Sequence, residues 1–420
     1  MNQAIVFGAG AIGLGFLGSI LSQSNYKTTF VDVDPQIISA ICTNKHYKFN
    51  IAGPSPKVVT VKNVNGIPFS DREKIFKAIK NTDAVFTAAG GNALSAISEV
   101  LAEGLVYRLK KWRPLNVICC ENLHDPSAIL RDGVLRYLEG FSLSAKDLRT
   151  VSEETGFSNT VISKMCKKTS VKESVLQPIA DGVDVVIEVE TEGDLLIDAN
   201  SLVEPKIRLK NVQLLGSYQF EAERNKKTFA HNGGHATLAY LGKLKGYDYI
   251  WEAGADEGIK TIFNRAMICE IGEALVKKYR RFFSMKGYEA YVNDIFFRMT
   301  DRYFCDKIDR GIRSSMEKIG GSDARLTRTA RFVMEQGLIP LNFCLTIAAG
   351  FLINEIKMDE PAQTVSLSCD LDPSKDGCLI NVIVHAYEAL KKWKAMNCPN
   401  LIMYLDKNGF YDFQSHQTNI

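Results

Sequence analysis

The chain has 420 residues, 46% of them hydrophobic and 24% charged, and its 51 basic and 48 acidic side chains leave a formal net charge of +3. That length predicts two domains, the composition excludes a disordered chain, and the near-balanced charge excludes nucleic acid as the main partner. Ten cysteines are scattered without a C-x-x-C pair, which excludes a zinc ribbon or dithiol site. They predict a reduced, cytoplasmic protein whose cysteines, Cys119 and Cys120 included, are mostly small core residues.

Residues 4–21, AIVFGAGAIGLGFLGSIL, are apolar for the length of a membrane span, but five glycines interrupt them and no Lys or Arg precedes them. A strand and a glycine-rich turn explain those glycines; a span does not, and no membrane partner is expected. Residues 4–7 predict a strand, 13–23 a helix and 28–33 the next strand. Short buried strands follow at 83–87 and Leu115–Cys119. Strands alternating with helices predict a parallel, doubly wound sheet. Strand-like runs continue through 182–190 and 194–197, shifting toward apolar–polar alternation. Beyond about residue 210 strand signals end and amphipathic runs take over at 234–243, 260–278, 288–298 and 327–354, the last read as two helices broken near Pro340. The fold class is therefore α/β: an N-terminal Rossmann-type, doubly wound domain over residues 1–205 and a mostly α-helical domain over 206–420.

Residues 8–13 read Gly8-Ala9-Gly10-Ala11-Ile12-Gly13, a G-x-G-x-x-G that follows one strand and opens a helix. Gly8 would allow the tight turn, Gly10 the approach of a pyrophosphate to the backbone, and Gly13 the close packing of helix on strand. The backbone from Ala11 and Ile12 onward would offer N–H groups and a partial positive charge to the phosphates. Asp32 ends the second strand, where a carboxylate can accept hydrogen bonds from the adenosine ribose and repel a 2′-phosphate, so the expected cofactor is NAD rather than NADP. Asp34 is a second acidic group in reach. Gly90-Gly91 follows the strand ending at Thr87 and is either part of the cofactor's crossing or an ordinary loop.

In Lys227-Thr-Phe-Ala-His-Asn232-Gly-Gly-His235, Lys227, Asn232 and His235 fall at about 0°, 140° and 80° of a helical wheel, on one face. A lysine partly desolvated beside the cofactor can lose its proton near neutral pH and act as base toward a hydroxyl. Asn232 and His235 can donate hydrogen bonds to the same oxygen as charge builds on it. A helix start with a surface lysine and a capping asparagine accounts for the same letters. His231, in the same arc, and the neighbouring Lys226 are rivals that spacing does not remove. His231 and His235 have no nearby carboxylate or cysteine in the sequence to complete a metal site, and no metal is expected. Arg298, Arg302, Arg310, Arg313 and Lys318 form a basic-rich stretch interrupted by Asp301, Asp306, Asp309 and Glu317, readable as a grip for phosphate or as a solvated helix face.

The string KTFAHNGGHATLAYLGKLKG resembles the K-x-x-x-x-N-x-x-H signature of the polyol-specific long-chain dehydrogenases, the mannitol dehydrogenase family. FGAGAIGLGFLG is similar to that family's FGAG-x-IG-x-GF-x-G, VDVD at 31–34 to its acidic second-strand end, and CENL at 120–123 to its C-E-N-hydrophobic run, while residues 125–180 match weakly. The resemblance implies Lys227 as general base, with Asn232 and His235 polarising the reacting oxygen. It further implies Asn122 as a substrate-side donor, Asp198 as a contact to polyol hydroxyls, and Arg310 and Lys318 as a basic pair facing the substrate. The implied reaction is reversible hydride transfer between NAD and a polyol or polyol phosphate and its ketose, mannitol 1-phosphate and fructose 6-phosphate being the leading pair. A monomer needing no metal is compatible with it. The alternatives are a sugar-acid substrate such as tagaturonate or fructuronate, whose carboxylate would use the same basic residues, and a non-catalytic NAD sensor. Three departures stand out. Glu317 replaces a basic residue, the loop Gly320-Gly321-Ser322-Asp323 is one residue longer, and Leu14 stands where the family often has Arg. A carboxylate beside a phosphate pocket is unfavourable.

Overall fold

Along β1 (Asn2–Phe7) the side chains divide by alternation: Ala4 and Val6 join one apolar layer, Ile5 and Phe7 the other. A strand buried on both faces belongs at the centre of a parallel sheet. The computed structural model describes residues 1–321 and 324–416, so that Ser322 and Asp323 of the long loop lie outside the described residues. It divides into two compact units, Met1–Glu221 and Ala222–Ile420.

The first unit contains twelve strands in two sheets. After β1 come β2 (Tyr26–Asp32), β3 (His46–Ile51), β4 (Lys57–Lys62), β5 (Val64–Pro68), β6 (Ala84–Thr87) and β7 (Leu115–Cys119). Then follow β8 (Thr155–Ile162), β9 (Cys166–Thr169), β10 (Val186–Val189), β11 (Leu195–Asp198) and β12 (Val212–Leu215). The eight-stranded sheet runs β12-β11-β8-β7-β6-β1-β2-β5, parallel except where β11 meets β8. On one face the helices Arg72–Asn81, Leu94–Arg108 and Pro126–Leu138 bury Ile75, Ile79, Leu101, Leu105 and Val134 against Phe7, Val85 and Val117. On the other lie the glycine-loop helix, the helix Pro35–Asn44 and the second sheet, β4-β3-β10-β9, whose Tyr47, Phe49 and Ile187 pack with Phe30 and Phe86. Burying each such large side chain is worth about 1.5–3 kcal/mol, so the two layers fix the sheet from both sides.

The Rossmann-type reading holds, with additions. The run 182–190 yields β10, which belongs to the second sheet rather than the main one. Strand structure does not stop at 210: β12 pairs in parallel with β11, and the first unit accordingly extends past residue 205.

The second unit is helical. The apolar run at 327–354 forms Arg325–Glu335 and Leu341–Ile353 on either side of Pro340. The second of these is buried from Leu341 to Phe351. Its first N–H groups, which have no partner inside the helix, meet the carboxylate of Glu270: Asn342 N–H donates at 2.7 Å, Phe343 N–H at 2.9 Å and Asn342 Nδ2 at 2.7 Å. Burial pushes the Glu270 carboxyl up to about 7 against these bonds. Among the described residues no helix is long and apolar enough to cross a membrane. None of the ten cysteines forms a disulfide; Cys119, Cys120, Cys166, Cys344 and Cys369 are buried, while Cys269 and Cys305 are exposed.

Candidate functional site

At the carboxyl edge of the main sheet the chain reverses its order of travel between β1 and β6, the place where open α/β sheets bind ligands. Gly8 sits there with φ +106°, its N–H donating to Val31 O at 2.8 Å, and the N–H of Ala88 closes the adjoining edge by donating to Phe7 O at 2.7 Å. A Cβ on Gly13 would lie 2.0 Å from the Gly8 carbonyl oxygen, so the loop folds back on itself only with glycine at 13. A Cβ on Gly10 would meet nothing within 4 Å. Gly10 therefore faces open space that a side chain would fill, which suits a diphosphate approaching the backbone at the start of a helix. Ala11 and Ile12 are half-buried in that first turn. Where the sequence reading had a simple helix over 13–23, Gly13–Leu17 is a π turn, followed by the α-helix Gly18–Gln23. Leu14 is fully buried, with its carbonyl accepting the Tyr47 hydroxyl at 2.6 Å, so the position that departs from the family's Arg is a core position here.

The two acidic residues at the end of β2 and just beyond it separate cleanly. Asp32 Oδ2 accepts the N–H of Ala9 at 2.5 Å and Oδ1 that of Asp34 at 2.9 Å, which ties the second strand to the glycine loop. Asp34 is the N-cap of the helix Pro35–Asn44, accepting from Gln36 and Ile37, and lies 3.6 Å from Lys168 Nζ. A carboxylate has about four acceptor sites, so Asp32 keeps capacity for a ribose diol. Asp32→Ala should weaken NADH binding at least tenfold and raise NADPH binding relative to it, with an additional stability loss of about 1.5–3 kcal/mol from the loop contact. Titration with both nucleotides checks this; an unchanged NADH/NADPH ratio would move the ribose role off Asp32.

Gly90-Gly91 falls at the same carboxyl edge, directly after β6. That loop is held by Glu121, a residue the sequence reading passed over inside CENL. Thr87 Oγ1 donates to its Oε2 at 2.6 Å and Ala89 N–H to its Oε1 at 3.3 Å. Burial raises the Glu121 pKa despite those bonds. Asn122, next along, is exposed at the end of β7. Asp198, at the end of β11, accepts from Asn200 N–H at 3.1 Å, Ser201 Oγ at 3.0 Å and Ser217 Oγ at 3.1 Å. Its carboxylate thus closes the local turn in addition to any contact with a ligand.

In the second unit, Lys227–Asn232 is a π turn that runs directly into the helix Gly233–Lys245. Its i→i+5 closure, seen in the bond from Gly233 N–H to Thr228 O, spreads more residues over each turn than a 100° wheel assumes, and such turns recur at functional sites. Lys227 and Asn232 are half-buried at its two ends, and His235 is half-buried one turn on. His231 is only 7% exposed, and its Nδ1 makes no hydrogen bond. Burial pulls its pKa well below 6.5, and the charges of Lys227, Arg298 and Arg310 pull in the same direction. His231 thus lies within electrostatic reach of Lys227, Arg298 and Arg310. Lys226 points elsewhere: it pairs with Glu223 at 2.6 Å and stands over the rings of Phe283 and Tyr291.

The basic stretch is not one patch. Arg310 pairs with the buried Asp306, its Nε donating to Oδ1 at 2.6 Å and its Nη2 bonding Oδ2. The same Oδ2 lies 2.9 Å from His235 Nε2. The sequence offered His235 no nearby carboxylate; the fold supplies one from 71 positions away. Lys318 Nζ donates to Gly311 O at 2.7 Å, at the end of the helix Ile308–Ile312 that starts beside Arg310's partner. Arg298 bonds Asp294 at 3.1 Å, while Arg302, Arg313 and Glu317 are exposed. Among the described residues no three His, Cys, Asp or Glu side chains gather as a metal site.

Comparison with known proteins agrees with this layout. Residues 2–211 match the family model described as the mannitol dehydrogenase Rossmann domain, and residues 220–388 the mannitol dehydrogenase C-terminal domain. Mannitol-1-phosphate 5-dehydrogenase of Thermoanaerobacter pseudethanolicus is 32% identical over 406 residues, covering 93% of this chain and 99% of that protein. The Enterococcus faecalis protein of the same name is 31% identical over 364 residues, 86% of this chain and 89% of its own. Among solved structures, Pseudomonas fluorescens mannitol 2-dehydrogenase, in a ternary complex with NAD and D-mannitol, superposes with a TM-score of 0.73 at 12% identity over 96% of this chain and 94% of its own. A D-sorbitol dehydrogenase in substrate-free form does so at 0.71 and 14%, over 94% of each chain. The chain belongs to the mannitol dehydrogenase family.

Proposed function

We propose that this protein is an NAD-dependent, metal-independent dehydrogenase that interconverts a polyol phosphate and its ketose phosphate, mannitol 1-phosphate and fructose 6-phosphate being the leading pair, with Lys227 as general base. The observation that carries the reading is the run from Lys227 and Asn232 into the helix that carries His235, whose ring is joined to Arg310 through the buried Asp306. In its neutral form the amine of Lys227 can take the proton of a substrate hydroxyl. NAD, when bound, supplies the acceptor for the hydride that leaves the carbinol carbon. Oxidation thus releases one hydride and one proton per hydroxyl and leaves a ketone; Asn232 stabilises the oxygen as charge develops on it. Arg310, held on one edge by Asp306 and partly exposed, can present its guanidinium to an anionic substrate, and guanidinium groups match a phosphate's geometry. Glu317 is exposed to solvent, which lessens its cost to a bound phosphate.

NADH formation from a panel of polyols, polyol phosphates and aldonates tests this. Mannitol 1-phosphate should exceed mannitol in kcat/KM by about 10- to 100-fold, the worth of one or two charge-assisted hydrogen bonds. Equal values for the two would refute phosphate recognition, preference for an aldonate would shift the class to sugar acids, and turnover of none would favour a sensor.

A further inference from the structure

Asp306 is 2% exposed, and its carboxylate is shared between two groups the resemblance places on the substrate side. Its backbone is fixed as firmly as its side chain: Ile250 N–H donates to Asp306 O at 2.9 Å, and Lys307 bridges antiparallel to Tyr249. Burial alone would raise the carboxyl's pKa, but hydrogen bonds from His235 and Arg310 and the charge of Arg310 hold it well below the usual carboxylate range. A buried carboxylate in that state is acceptor-only. The Nε2 facing it at 2.9 Å must then carry a proton, and in the neutral imidazole the other nitrogen, Nδ1, is left as an acceptor. Gly311 permits this arrangement, since a Cβ there would come within 3.1 Å of His235 Cε1. On the other side the guanidinium is held by its Nε edge, so Arg310, 38% exposed, is oriented rather than swinging freely.

We propose that Asp306 is a positioning residue that sets the tautomer of His235 and the aim of Arg310, so that neutral His235 accepts a hydrogen bond from a substrate hydroxyl instead of donating one. This rests on the dehydrogenase reading above. It reverses the donor role that spacing suggested for His235 and leaves Asn232 as the amide donor to the reacting oxygen. A polyol has a hydroxyl beside the one being oxidised, and an acceptor at Nδ1 selects for a substrate that carries it; a simple secondary alcohol does not.

The test combines ring ¹⁵N spectra of the six histidines, recorded above their titration, with kinetics of Asp306→Asn. In the parent protein, His235, assigned by its loss in His235→Gln, should show the proton on Nε2 and an unprotonated Nδ1. In Asp306→Asn the charge is lost and one of the two acceptor oxygens becomes an N–H₂ that can only donate, so His235 and Arg310 can no longer both be held as in the parent, and kcat should fall by about 10²- to 10⁴-fold, in the range found for lost orienting carboxylates. Added to a His235→Gln/Arg310→Gln background, the same change should cost no more than about threefold, because it acts through those two residues. An Nδ1-protonated His235 in the parent, kcat within about threefold in Asp306→Asn, or an undiminished loss in the double background would each overturn the proposal. The spectra of the parent need neither turnover nor a folded variant. Absence of turnover in the parent therefore defeats only the functional reading, and the tautomer still decides this one.

Discussion

Lys227→Ala should lower kcat by about 10²- to 10⁴-fold, the usual contribution of a positioned general base, while NADH still binds with a Kd within about threefold of the parent. The residues assigned to the nucleotide, Gly8 to Gly13 and Asp32, all belong to the first unit, whereas Lys227 opens the π turn of the second. Truncating a half-buried side chain there opens no core cavity, so the melting temperature should move little. The same substitution relieves one of the charges that hold His231 neutral, so the His231 titration should shift upward. Partial restoration of turnover by a small primary amine would identify the missing group as a base. A variant within about tenfold of parental kcat would end the assignment of Lys227.

Gly13→Ala and Gly10→Ala, three positions apart, should fail in opposite ways. At Gly13 the added methyl would stand 2.0 Å from Gly8 O and 3.1 Å from its carbonyl carbon, both backbone atoms tied into the loop. The turn must open, at a cost of about 3 kcal/mol or more, which for a unit of this size lowers its melting temperature by roughly 6–12 °C. At Gly10 the methyl meets no protein atom within 4 Å, and the melt should stay within about 2 °C. The loss there should appear in NADH binding, weakened at least tenfold, because the methyl occupies the space a diphosphate needs against the backbone. Thermal melts with and without NADH separate the two. Normal NADH affinity in Gly10→Ala would remove the diphosphate from that loop, and a parental melt in Gly13→Ala would refute the close packing.

Local pattern carried a good deal. The strand–glycine loop–helix opening, the strands at 83–87 and Leu115–Cys119, and the break at Pro340 are each encoded within a dozen residues, by alternation, by glycine spacing and by a missing N–H. The Lys227–Asn232–His235 spacing was readable for the same reason, although the π turn that carries it was not. Nothing in those letters distinguishes i→i+4 from i→i+5 closure when packing decides the difference. The strands β3, β4, β5, β8, β9 and β12 escaped too, since four to eight residues of ordinary composition become strands only when a partner supplies the other half of the ladder.

What the sequence alone determined is the doubly wound first unit, the helical second one, and three residue types that can hold and deprotonate an alcohol. Tertiary structure decided which acidic residue serves which neighbour. Asp32 meets the glycine loop while Asp34 caps a helix, Glu121 braces the loop after β6, and Asp306 joins His235 to Arg310. The spacing of Asp306 and Arg310 as i and i+4 was compatible with a pair, yet the link to His235 spans 71 positions. The reason is that hydrogen bonding by a buried carboxylate is set by whatever the packing brings within about 3 Å, a distance with no counterpart along the chain.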